Sequence, residues 1–447
     1  MNAPARRGAC PALSAPMQTG DGLLARLNPI AGGFSSNALI GLCESALRHG
    51  NGIVEVTARG SVQIRGLTPS SAPRLEADVD ALGIAVRSGV PVETGPLAGI
   101  DPDEIADPRP LAEEIRTAIA RAHLGTRLGP KVSVVIDGGG RIDLADIIGD
   151  VRLVAVERND EVLWHVAVGG DAATAKPLGF VEAVHARPAA IALLEAVANL
   201  GREGRARDLT DAHRIVAAMP LSGPPATSSS RRGTHQKARA VAIFPLADGT
   251  HALGLTLPFG SMPAEAVIAL AEAAKALGAT ELRPAPDRAL LIPGLTREAC
   301  AELQQTASHQ GFVTDPADPR LAMAACPGRP ACASGRIFTR DIATEFAASA
   351  PDLLDGSFAL HVSGCAKGCA HAGATMLTLV GDDDGAALVV DGTAKSLPAA
   401  KVPHYEALAG LRRIASLVRD TKRPGETAAA CLARLGAAKI ATAFAQE

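Results

Sequence analysis

The chain has 447 residues, 47% hydrophobic and 20% charged, with a net charge of −3. That composition is globular and long enough for several domains. It lacks the basic excess of a nucleic-acid binder, and at 2% aromatics it has too few rings for base stacking.

Residues Met1 to Gly22 hold Arg6 and Arg7 but no apolar stretch of signal-peptide length. No run of about 18 apolar residues is found, so the reading expects no membrane span and a cytoplasmic location. Of eight cysteines, Cys10, Cys43, Cys300 and Cys431 are scattered, and the last three fall in Ala/Leu-rich helical patterns. They read as small buried apolar residues.

In chain order, Ser35 or Ser36 can cap a helix running to about Arg48, stopped by Gly50 and Gly52. Strand pattern follows from Ile53 to Leu67. There Val54, Val56, Ala58, Val62 and Ile64 alternate with Glu55, Thr57, Arg59, Ser61, Gln63 and Arg65. Period-two alternation puts the polar set on one sheet face, ordinarily a solvated one. Lys131–Ile136 reads as a strand, and Gly138-Gly-Gly140 as a hairpin turn. That glycine run lacks the spacing of a dinucleotide fingerprint, so no bound nicotinamide or flavin is expected. Strands at Val151–Val156 and Glu161–Val168 and a helix from Pro188 to about Leu200 complete the half.

Residues 220–233, rich in Pro, Ser and Gly, read as a linker. The second half repeats the first. A helix is predicted over Pro263–Leu277, then strands at Thr280–Arg283, Ala289–Ile292, Phe358–Ser363, Thr375–Val380 and Ala386–Val390, and a helix near Val402–Arg419. The fold class is α+β with internal duplication.

Four cysteines remain. Five residues separate Cys326 from Cys332, and three separate Cys365 from Cys369. Four thiolates on two glycine-bearing loops can surround a [4Fe–4S] cluster. The wide first pair exceeds the usual spacing of a structural zinc site, but zinc and unliganded thiols remain alternatives at this point.

A wide cysteine pair followed by Gly364-Cys-x3-Cys369 resembles the nitrite/sulfite reductase family, over nearly the whole chain. The resemblance implies two ferredoxin-like half-domains forming one domain plus two α+β domains enclosing the cofactors. The expected boundaries are 20–70 and 238–312 for the half-domains, 108–218 and 318–425 for the α+β domains, and 219–237 for the linker. It also implies that Cys326, Cys332, Cys365 and Cys369 hold a 4Fe–4S cluster. In the sirohaem members Cys369's counterpart also bridges to the haem.

The segment Thr57-Ala-Arg59 is similar to the family's Thr-x-Arg strand, which turns the polar face towards the cavity. Leu128-Gly-Pro-Lys-Val-Ser133 is similar to its anion-binding Pro-Arg-Lys-Phe-Lys stretch, but Ser133 replaces the second lysine. Losing that charge counts against reduction of sulfite or nitrite. With the Cys10–Leu13, Pro16–Arg26 and Ala325–Cys332 patterns, it points to a cobalamin-biosynthesis branch in which the tetrapyrrole is substrate rather than sirohaem cofactor.

That branch implies dioxygen as co-substrate, a mononuclear non-haem iron, and electrons from a separate donor protein. Candidate contacts to substrate carboxylates are Arg59, Arg65, Lys131, Arg329 and Arg336, because guanidinium binds carboxylate bidentately. His361 and His371 flank the second cysteine pair and are the nearest candidates for the second iron. A sirohaem-dependent sulfite or nitrite reductase and a non-catalytic zinc-stapled binding protein are the alternatives.

Overall fold

The computed structural model describes residues 11–30, 32–217 and 240–446. Cys10 and the linker at 219–237 lie outside them. The described residues form four five-stranded sheets with helices against them.

The first half-domain places Met17–Thr19, Gly22–Leu27, Val62–Leu67 and Ile53–Val56 side by side, all antiparallel. Its fifth strand, Ser261–Pro263, comes from the other half of the chain, with Ser261 opposite Glu55 and Pro263 opposite Ile53. The second half-domain is built likewise from Ile243–Pro245, His251–Thr256, Ala289–Leu295 and Glu281–Ala285. It receives Phe34–Ser35 in return, Leu282 pairing with Phe34. Each half thus caps the other's sheet, which removes two exposed edges and fixes the halves as one unit.

The helices follow from capping and periodicity. Ser35 Oγ accepts from Ala38 N at 3.2 Å, starting Ser36–His49, and Gly50 ends it. That helix buries Leu39, Leu42, Cys43 and Ala46 against Val267, Leu270, Ala271 and Ala274 of Ala264–Ala276. Each large aliphatic side chain so buried contributes about 1.5–3 kcal/mol, which an aromatic-poor core needs in number.

The two remaining sheets share one topology. Val92–Thr94, Val134–Asp137 and Gly149–Arg158 run parallel, then Glu161–Gly170 and Lys176–Glu182 return antiparallel. Met323–Ala325, Leu360–Ser363 and Thr375–Asp382 run parallel, followed by antiparallel Gly385–Gly392 and Ala400–Val402. The duplication read in the sequence is present strand for strand. Parallel pairing of Val134 with Val151 corrects the hairpin reading of Gly138–Gly140: those glycines open a crossover. The Asp137 carboxylate shapes it by accepting from Gly139 N and Leu144 N.

The helix that follows the sheet of the first α+β unit is Ala183–Asn199, starting before Pro188 rather than at it. Cys43, Cys300 and Cys431 are fully buried among apolar residues. The Ala428–Ala445 helix is long and apolar enough to cross a membrane. It instead puts Cys431, Leu432, Ile440 and Phe444 into the C-terminal core.

Candidate active site

The first cysteine loop leaves the Met323–Ala325 strand and the second leaves Leu360–Ser363. These strands are parallel neighbours, so both loops emerge at the same sheet end. The loops touch directly. Gly364 N donates to Cys326 Sγ at 3.1 Å, Arg336 N donates to Gly364 O at 2.8 Å, and Lys367 Nζ donates to Ser334 Oγ at 2.7 Å. A Cβ on Gly364 would lie 3.2 Å from the Cα atoms of both Gly328 and Gly335. Glycine at all three positions is what lets the loops close on each other.

Cys326 is buried, Cys332 and Cys365 are half-buried, and Cys369 is exposed. None is in a disulfide. Among the described residues, no three His, Cys, Asp or Glu side chains converge as they would on a single metal ion. A cubane makes no such demand, because each thiolate binds a different iron. Interlocked glycine loops and a backbone N–H already aimed at a cysteine sulfur therefore fit a cluster. The same finding gives no three-ligand set for a mononuclear iron among the described residues.

Within the half-domain sheet the polar face is buried rather than solvated, with Glu55, Ser61, Gln63 and Arg65 each under 9% exposed, whereas Thr57 is half-buried and Arg59 exposed. Arg26 donates to Gln63 Oε1, whose amide donates to Glu55 Oε2 at 3.0 Å. Arg65 holds Asp21, Glu55 and the carbonyl of Ala331, while Arg340 reaches Glu55 from beyond the first cysteine loop. Burial works against the Asp21 charge, but hydrogen bonds from Arg65 and Thr19 outweigh it and hold the carboxyl below its usual range.

Beneath the second cysteine loop, His361 is fully buried and neither ring nitrogen has a hydrogen-bond partner. Its ring meets that of His371 edge-on at 5.9 Å. Burial first, then the charges of His371 and Arg288, push His361 down to about 4. His371 is lowered as well, chiefly by burial, with the Asp146 charge partly opposing. Arg288 is half-buried and donates to Ala370 O at 3.1 Å.

Of the five arginine and lysine candidates, Arg65 reaches the first cysteine loop, which carries Arg329 and Arg336, whereas Arg59 contacts the first α+β unit, which carries Lys131. Arg59 donates to Ile148 O across to the first α+β unit and lines a cavity of about 320 Å³ with Arg87, Arg109, Arg116, Arg283 and Ile147. Lys131 is half-buried, its carbonyl taken by Arg205 at 2.9 Å. Arg329 lies over the Phe338 ring, and exposed Arg336 pairs with Asp383. Arg65 faces carboxylates of its own chain. Sequence reasoning missed Asp21, Arg288 and Arg340. The Asp287–Arg288 pair of positive-φ residues marks a tight turn, but nothing local shows that Arg288 ends beside Ala370.

The comparisons agree with this architecture. The nitrite/sulfite reductase ferredoxin-like half domain matches residues 15–82 and 244–308. The nitrite and sulphite reductase 4Fe-4S domain matches 90–217, the α+β unit whose topology the cysteine-bearing unit repeats. A precorrin-3B synthase of Sinorhizobium sp. is 43% identical over 99% of this chain and 95% of its own. A chloroplastic ferredoxin–nitrite reductase of rice, Oryza sativa subsp. japonica, is 26% identical over 71% of this chain and 59% of its own. The solved structure of Mycobacterium tuberculosis NirA has the same fold, with a TM-score of 0.75 at 19% identity, covering 94% of this chain and 84% of that one. The chain thus belongs to the nitrite/sulfite reductase family, in its precorrin-3B synthase branch, and is an oxidoreductase with an iron–sulfur cofactor.

Proposed function

We propose that this enzyme hydroxylates precorrin-3A at C20 with dioxygen, the ring-A acetate closing a γ-lactone, in aerobic cobalamin biosynthesis. One oxygen atom enters the substrate and the other leaves as water, consuming two electrons and two protons. The observation that carries the reading is the pair of interlocked cysteine loops, in a chain 43% identical end to end to a precorrin-3B synthase.

Cys326, Cys332, Cys365 and Cys369 would hold the cluster, whose chemistry is to pass electrons one at a time from a separate donor protein. Gly364 N–H would stabilise negative charge on the Cys326 sulfur and so favour the reduced state of the cluster. Arg59, with the other guanidinium groups around its cavity, offers sites for the substrate's carboxylates.

Sirohaem-dependent reduction of nitrite or sulfite is the second reading, favoured by the chloroplastic relatives. Reduction of a small oxyanion needs dense positive charge. Ser133 N is instead bonded to Asp150, which Arg205 neutralises, beside Lys131 as the lone lysine of its stretch. Incubation with precorrin-3A and a reductant, with and without dioxygen, tests the proposal. Oxygen-dependent gain of one oxygen atom supports it, and reconstituted enzyme that forms no product counts against it.

A further inference from the structure

We infer that Arg65 is a positioning residue, clamping the first cysteine loop so that Cys332 stays in place for the cluster. The inference rests on the iron–sulfur reading above.

Arg65 sits on the half-domain sheet and is only 4% exposed. Its Nε and Nη2 grip Asp21 at 2.9 and 2.8 Å, and Nη1 faces Glu55 Oε2 at 3.3 Å. Nη2 also donates to the carbonyl of Ala331 at 2.7 Å. Ala331 immediately precedes Cys332. A guanidinium whose charge is fixed by two carboxylates thus reaches out of its own sheet and ends on the main chain beside a cysteine.

Two independent contacts act on the same loop. Gly20, in the turn before Asp21, lies against the cysteine main chain: a Cβ there would come within 2.4 Å of Ala333 N and 2.7 Å of the Cys332 carbonyl carbon. Arg340, just beyond the loop, pairs with the same Glu55 that Arg65 faces. At Cys332 itself the main chain makes two turn bonds, Cys332 N to Gly328 O and Gly335 N to Cys332 O, while Lys367 on Ser334 and Arg336 N on Gly364 O tie the loop to the second cysteine loop rather than to the half-domain. Such turns shape a loop without anchoring it, whereas the Arg65–Asp21–Glu55 set ties it to a sheet. Lysine cannot replace the fork: one ammonium cannot grip both Asp21 oxygens and still reach Ala331.

The test uses full-length protein purified anaerobically, challenged with a ferrous chelator while visible absorbance and iron are followed. Supporting groups around metal ligands are worth about 10–100-fold in metal affinity, so Arg65→Gln should lose iron at least about tenfold faster than wild type. Gly20→Ala, which changes no charge, should do the same, and Arg65→Lys should fall between. Gly125→Ala is the control, since a Cβ there meets nothing within 4 Å. Circular dichroism confirms folding, and the electron paramagnetic resonance of the reduced cluster should change in Arg65→Gln but not in Gly125→Ala. Should Arg65→Gln fail to fold, Gly20→Ala and Arg65→Lys carry the comparison. Wild-type rates and spectra in these variants would overturn the clamp while leaving the iron–sulfur reading intact. A wild-type protein without a cluster would remove both.

Discussion

The backbone N–H of Gly364 points at the sulfur of Cys326 across 3.1 Å, joining two loops that are 38 residues apart in the chain. The two cysteine pairs are therefore one structural object, and the predictions that follow test what it holds.

Cys365→Ser should abolish cluster retention, because serine offers no soft thiolate. Cys43→Ser should keep its iron. Burial pushes the Cys43 thiol up to about 12, so it is inert in the core of the half-domain helices. Its replacement should cost about 1–3 kcal/mol from burying a hydroxyl. Iron analysis and thermal melts of both variants check this, and equal iron loss would contradict the ligand assignment.

Buried His361 makes an acid-side prediction. Its folded value of about 4 lies below the 6.5 of an exposed imidazole, so the unfolded chain binds the extra proton between these values. Stability should fall as pH drops from 6.5 towards 4, by up to about 3 kcal/mol from this group. His361→Leu in cluster-free protein should flatten that part of the profile. Denaturant melts at pH 6.5 and 4.5 measure it, and an unchanged slope would show that His361 is not buried neutral.

Glu104 works in the opposite direction. Burial, with Asp107 and Asp101 adding to it, raises its carboxyl to about 7 against a Gly99 N–H bond that opposes the shift. The folded state then binds the proton between 4.5 and 7, and stability falls as pH rises through that window. Glu104→Gln should be neutral below pH 4.5 and stabilising by about 1–3 kcal/mol above pH 7. A variant no more stable than wild type at pH 8 would be the contrary result.

The duplication was legible because strand alternation and helix stops recur in both halves. The exchange of Phe34–Ser35 and Ser261–Pro263 between sheets was not, since strands of two and three residues carry no periodicity. The glycines at 138–140 announced a turn but not which strand would pair next. Alternation placed Arg65 on a polar face correctly. It could not show that Asp21, 44 residues earlier, and Ala331, 266 residues later, would occupy its guanidinium. The cysteine loops were readable from spacing alone, whereas the surroundings of His361 depend on Arg288 arriving from the second half-domain.

Iron, acid-labile sulfide and sirohaem content of protein purified without oxygen tests the central claim most directly. The account predicts four irons and four sulfides per chain, with no haem band in the visible spectrum. A single zinc in place of iron would contradict it, and stoichiometric sirohaem would replace the proposed hydroxylation with anion reduction.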